Sequence, residues 1–226
     1  PSLALAYRVT GDDRYVKRAR AIFDDWFASN PVGYGVPWAI GMEAALRAIS
    51  LLWTAEILDD TPAAKIFLSQ QVVESLVEHG RYLVRNIEYS DINGNHYTAC
   101  LLGLLYLGVA LDGVPEAQKW RDTAIKELSD EIVRQTYSDG VCHEGSVPYH
   151  RLVTELFLHA YLLARRVGVD LGTEYPSRLE RMLDFVAAYI KPSGMAPVVG
   201  DADDGRVHAF GSQDVNDHRY LLAIGS

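Results

Sequence analysis

Along most of this 226-residue chain the hydrophobic positions recur at helical rather than strand spacing. In residues 12–27, Tyr15, Val16, Ala19, Ile22, Phe23, Trp26 and Phe27 share one face with charges opposite, which predicts an amphipathic helix. Residues 38–58 are apolar almost all round, and their polar members Glu43, Arg47, Ser50 and Thr54 occupy one narrow stripe, as in a buried helix. The two kinds then alternate. Residues 62–87, 116–137 and 177–190 read as amphipathic helices, and 96–111 and 149–167 as apolar ones. The order of the seven predicted helices is outer, inner, outer, inner, outer, inner, outer.

Helices joined by short connections pack antiparallel to their sequence neighbours. The three inner helices therefore run parallel to one another inside an outer layer. The expected fold is all-α, an incomplete (α/α) toroid over residues 1–190. An open solenoid is the competing architecture, and no fixed-period repeat supports it. Inner-to-outer links (59–61 and 112–115) are short. The outer-to-inner links (30–37, 89–95 and 138–148) are long and rich in Gly, Asn, Asp and Pro. Parallel inner helices bring all three long loops to one end, beside three helix N-termini whose unpaired N–H groups favour anions.

After Ile190 the helical pattern stops. Residues 191–226 read as irregular chain rich in Gly and Asp, with 206–210 as a short strand, and are expected to be a linker or the start of a further domain. Asp201, Asp203 and Asp204 lack the spacing of a calcium loop and fit a turn. The longest apolar run, residues 99–111, falls short of the ~20 residues a membrane-spanning helix needs. A net charge of -9 and the lack of a Lys/Arg cluster argue against a nucleic-acid partner. Cys100 and Cys142, the two cysteines, have neither metal-ligand spacing nor a disulfide framework.

The chemistry-bearing residues gather in two loops. Asn95 and His96 stand at the start of one apolar helix, and His143, Glu144, Tyr149 and His150 crowd the approach to the next. An amide, imidazoles, a carboxyl group and a phenol are the components of acid–base catalysis. Each also has a structural reading. Asn95 suits a helix N-cap, His96 a half-buried structural histidine, and Tyr149 a first-turn aromatic. Glu43 and Arg47, at i and i+4 on an apolar helix, suit either a buried ion pair or a substrate-facing pair. His79 and His159 read as packing or surface residues.

The strings WAIGMEAALR (38–47), GNHY (94–97), the DG-x-x-x-E-x-S-x-x-YH pattern of 139–150 and GDADDGR (200–206) occur in an order and spacing that resembles the heparinase II/III-like polysaccharide lyases. The likeness is greatest to members encoded beside bacterial exopolysaccharide genes. It implies a lyase acting by β-elimination on a uronic-acid-containing, acidic polysaccharide, with no metal or other cofactor, in a periplasmic or secreted setting. By position, Asn95 would neutralise the uronate carboxylate with the aid of His96, and Tyr149 would protonate the departing oxygen and also serve as base. A phenol with a solution pKa of ~10 needs cationic neighbours to act as a base near neutrality. His96, His143, His150 and Arg47 are the candidates. Glu43, Arg47, His143, Glu144 and His150 would line the substrate site. Members of the family also carry a C-terminal β-sheet domain that supplies a further histidine, a role not expected of His208 or His218. Two rival functions stand beside this one: an inverting glycoside hydrolase using Glu144 and Asp139, and a polysaccharide-binding module without catalysis.

Overall fold

The computed structural model describes residues 1–202, 204–208, 210 and 213–225. Asp203, one of the turn aspartates, lies outside them, as does part of the expected 206–210 strand. Among the described residues there are ten α-helices and no strand, with one isolated antiparallel bridge between Thr136 and Cys142. Among these residues no helix is long and apolar enough to cross a membrane.

The alternation of inner and outer helices is present. The inner helices are α3 (Gly41–Leu58), α6 (Asn95–Ala110) and α8 (Val147–Arg166). The outer ones are α2 (Asp13–Ser29), α5 (Gln70–Arg85), α7 (Ala117–Arg134) and α9 (Glu174–Tyr189). α6 packs against α3 on one side and α8 on the other, and is buried on nearly every face. The N-termini of α3, α6 and α8 are tied to one another through loop carboxylates, while Asp59, Leu111 and Val167, just past their C-termini, line a common cavity at the other end. The inner helices therefore run parallel, and the three long loops do meet at one end.

Three departures from the periodicity have local causes. The expected helix over 62–87 is broken into α4 (Ala64–Phe67) and α5, because Ser69 is extended and caps α5 through its hydroxyl. Arg20 of α2 holds that break, donating to the Phe67 carbonyl, the Ser69 hydroxyl and Gln71. The helix expected from residue 38 begins instead at Gly41, after a 3-10 turn at Val36–Trp38. A Cβ on Gly41 would sit 2.9 Å from both the Asn86 carbonyl and the Cys100 sulfur, so only glycine admits that approach. A helix at the chain start, α1 (Ser2–Thr10), has no counterpart in the periodicity reading and packs on α2 and α3.

The tail departs most. It folds back along α8 and ends in α10 (Arg219–Gly225), packed on α8 and α9. The Val147 amide donates to the Val199 carbonyl (2.9 Å), and Arg151 donates to the Gly205 carbonyl. Arg151, fully buried, also pairs with Glu155 at 3.3 Å, and Tyr220 donates to the same carboxylate at 3.0 Å. Burial pushes the Glu155 carboxyl up although Arg151 pulls the other way. In the described part of 206–210 no strand forms: Val207 is buried, and His208 stacks on Phe210 and makes T-shaped contacts with Trp53 and His159.

Candidate active site

At the N-terminal end of the inner helices a cleft of about 450 Å³ opens between the 87–94 and 143–144 loops. Asn95, His96, His143 and Glu144 line it together with Glu88, Tyr89 and Tyr97. Asn95 is the first helical residue of α6, and the N-cap is Gly94, so Asn95 does not cap the helix. Its side chain is turned to Glu144, and a carboxylate from another loop does the capping. Glu144 Oε1 accepts the Asn95 backbone N–H at 2.8 Å, and Oε2 accepts one Nδ2–H at 2.9 Å. An anion there also suits the positive end of the α6 dipole. This two-point grip fixes the Asn95 amide and leaves its second N–H for a ligand.

His96 is exposed. Its Nδ1 lies 2.8 Å from Glu88 Oε2, and Glu88 Oε1 accepts the Met42 backbone N–H at the start of α3, also at 2.8 Å. His143 donates from Nε2 to the Asn93 carbonyl at 3.0 Å. Behind it, fully buried Glu131 accepts from Asn93, Gln135 and Arg134, tying the loop to α7. Burial pushes the Tyr97 hydroxyl, at the back of the cleft, well above its ordinary value.

The loop that carries His143 and Glu144 is clamped by α9. A tight hairpin closes at Thr136 and Cys142, with Gly140 at φ 89°. Arg178 donates to the carbonyls of Thr136 and Tyr137, and Arg181 to that of Ser138. Asp139 is exposed, its Oδ1 accepting the Val141 N–H at 3.1 Å, and it does not line the cleft.

The other sequence-predicted residues lie outside the cleft lining. Tyr149 is in the first turn of α8, its N–H donating to the Ser146 hydroxyl at 3.2 Å, with the ring half-buried. His150, on the same turn, is buried and has both ring nitrogens occupied. Cys142 N–H donates to Nδ1 (3.2 Å), and Nε2 donates to the Met182 carbonyl (3.1 Å). Burial lowers its pKa to about 4. His150 is thus a neutral packing residue joining α8 to α9, behind the cleft lining rather than in it.

Arg47 is turned away from the cleft as well. Its guanidinium lies over Trp26 (4.4 Å) and Trp38 (4.7 Å), and Nε donates to His79 Nε2 at 3.0 Å. Desolvation lowers the Arg47 pKa to about 10 and that of His79 to about 4. Glu43 is exposed and makes no direct ion pair with Arg47. The direct ion pair expected of these two is not formed, because two tryptophans from different elements take up the guanidinium.

Sequence reasoning missed Glu88, Asn93 and Glu131. Their signal is weak: Glu88 and Asn93 are an acid and an amide just before the GNHY string, Glu131 is one acid among several on the amphipathic α7, and only the fold brings them together.

The family model for the heparinase II/III N-terminus matches residues 1–217. The chain belongs to this family. It is similar to a heparin-sulfate lyase of Pedobacter heparinus, 28% identical over 208 residues, covering 89% of this chain and 31% of that protein. A heparin-sulfate lyase of Bacteroides stercoris is 24% identical over 216 residues, covering 87% of the chain and 32% of that protein. Among solved structures, heparan sulfate lyase HepC from Pedobacter heparinus superposes with a TM-score of 0.66 at 29% identity, over 89% of this chain and 33% of that one. Heparinase III superposes at 0.71 with 22% identity, over 85% and 30%, a likeness of fold. The chain spans about a third of the length of the curated relatives it matches.

Proposed function

We propose that this chain is the helical part of a polysaccharide lyase that cleaves a uronic-acid-containing polysaccharide by β-elimination. The observation that carries the reading is the convergence, in a member of this family, of the Asn95 amide and the His96 imidazole on one cleft at the inner-helix N-termini. The C5 proton of a uronate is weakly acidic, and removing it puts charge on the adjoining carboxylate. Donors aimed at that carboxylate therefore stabilise the transition state more than the ground state. The second Asn95 amide N–H and the His96 imidazole are the groups aimed there. Tyr149 stands outside this cleft lining, in the first turn of α8 at the same end of the inner helices, and its role rests on the family resemblance: its phenolate takes the C5 proton and passes it to the departing 4-oxygen as a C4–C5 double bond forms.

Glu144 holds Asn95, and His143 stands beside it. All four oxygens of Glu88 and Glu144 face N–H donors, which suits positioning better than the two free carboxyl groups of a hydrolase. Among the described residues no Lys or Arg lines the cleft, which favours a uronate of low sulfation.

The test is ultraviolet absorbance from the unsaturated product when the full-length gene product is given a panel of uronate polymers. Hydrolysis gives no such signal, and a binding module gives no turnover. Tyr149→Phe is expected to abolish turnover while keeping polymer binding, and undiminished activity would remove Tyr149 from the mechanism.

A further inference from the structure

Glu88 is a carboxylate to which the elimination itself assigns no task, yet it is gripped at both oxygens. Oε1 accepts the Met42 N–H and Oε2 faces His96 Nδ1, each at 2.8 Å. The Gly41 backbone lies so close that a Cβ there would be 3.2 Å from Glu88 Oε1, so α3 fixes this carboxylate from a second element. His96 lines the cleft, and its Nε2 has no partner among the described residues.

We propose that Glu88 is a positioning residue for His96, fixing both the rotation of the ring and its tautomer. An ionised carboxylate has no hydrogen to give, so the neutral ring must carry its proton on Nδ1. Nε2 is then the atom offered to the cleft. In the neutral ring it is a proton acceptor, and once protonated it becomes a charged donor to an anionic group. Without Glu88 neither the facing atom nor its lone pair is specified. This inference rests on the cleft being the lyase site.

A glutamine at position 88 reverses the arrangement without removing it. The Met42 N–H still needs an acceptor, so the amide oxygen stays on that side and the NH₂ group turns to His96. Nδ1 must then accept, and the neutral proton moves to Nε2.

The experiment is nitrogen-15 histidine NMR of the full-length protein and its Glu88→Gln variant at a pH where His96 is neutral, with the His96 signal assigned by its loss in His96→Gln. The expected result is an Nδ1–H ring in the native protein and an Nε2–H ring in the variant. Kinetics run alongside. Glu88→Gln should lower kcat/KM by about tenfold or more, the scale of one lost charge-assisted hydrogen bond. The same change in a His96→Gln background should cost almost nothing further. An Nε2–H ring in the native protein, an unchanged tautomer in the variant, or an equal loss in the His96→Gln background overturns the proposal, the last by showing a merely structural role. If the tautomer inverts but the native protein turns over no uronate polymer, the lyase reading fails while the hold of Glu88 on His96 stands.

Discussion

Gly140→Ala tests how the loop bearing His143 and Glu144 is held. Gly140 sits at φ 89°, where an L side chain is strained, and a Cβ there would lie 2.4 Å from the Arg181 carbonyl carbon, 2.6 Å from its oxygen and 2.6 Å from Met182 N. These are backbone atoms in the middle of α9 and cannot rotate away. The conformational part costs about 1–2 kcal/mol, and forcing an extra methyl into a packed contact adds about 1–3 kcal/mol. The expected loss is therefore about 2–5 kcal/mol against a total stability of about 5–15 kcal/mol. For a chain of this size that lowers Tm by about 4–20 °C.

Two control glycines separate the parts. Gly145 has φ 69° and a Cβ added to it would meet nothing within 4 Å, so Gly145→Ala carries the backbone cost alone. Gly113 has open space and no positive φ, and Gly113→Ala should change stability by no more than about 0.5 kcal/mol. Thermal and urea unfolding followed by circular dichroism give the three values. The Gly140 variant should also lose activity, because relief of the clash moves the hairpin that carries Glu144. A Gly140→Ala Tm within about 2 °C of Gly145→Ala would refute the contact with α9.

Further outcomes follow from buried charge. His79, His150, His159 and His218 are held down to about 4 and His208 to about 3, in each case first by burial. An unfolded histidine takes up a proton near 6.5. The unfolded chain therefore binds more protons between those values, so the stability these groups contribute is present above about pH 6.5 and is lost as pH falls toward 4. His150→Gln keeps an acceptor for Cys142 and a donor for Met182 but cannot titrate. Its unfolding free energy should fall less steeply with acid, by up to about 1.4 kcal/mol per pH unit, and an unchanged slope in urea titrations would count against a neutral buried His150. Glu155→Leu strands fully buried Arg151 and should cost about 3–5 kcal/mol. The Arg151→Met/Glu155→Leu double variant should recover part of that in the same assay, and a double no more stable than the single would argue against a stranded charge.

Much of this protein is written locally. Helix period and the alternation of amphipathic and all-apolar segments come from side-chain spacing within one or two turns. They establish an all-α fold and, through connection lengths, parallel inner helices with three loops at one end. That Asn95, His96, His143 and Glu144 come together at that end could be read for the same reason, since they lie in those loops. What the spacing could not tell is which neighbour each polar side chain meets.

His143 and His150 come from one short stretch, yet one lines the cleft and the other is sealed between α8 and α9, a difference made by where Met182 sits. Arg47 shares the polar stripe of α3 but is enclosed by Trp26 and Trp38 from outside that helix. Glu88 and Glu131 look in sequence like any solvated acid. Whether a carboxylate is hydrated or holds a histidine or an asparagine depends on donors brought from distant positions, and that energy exists only once the helices have packed.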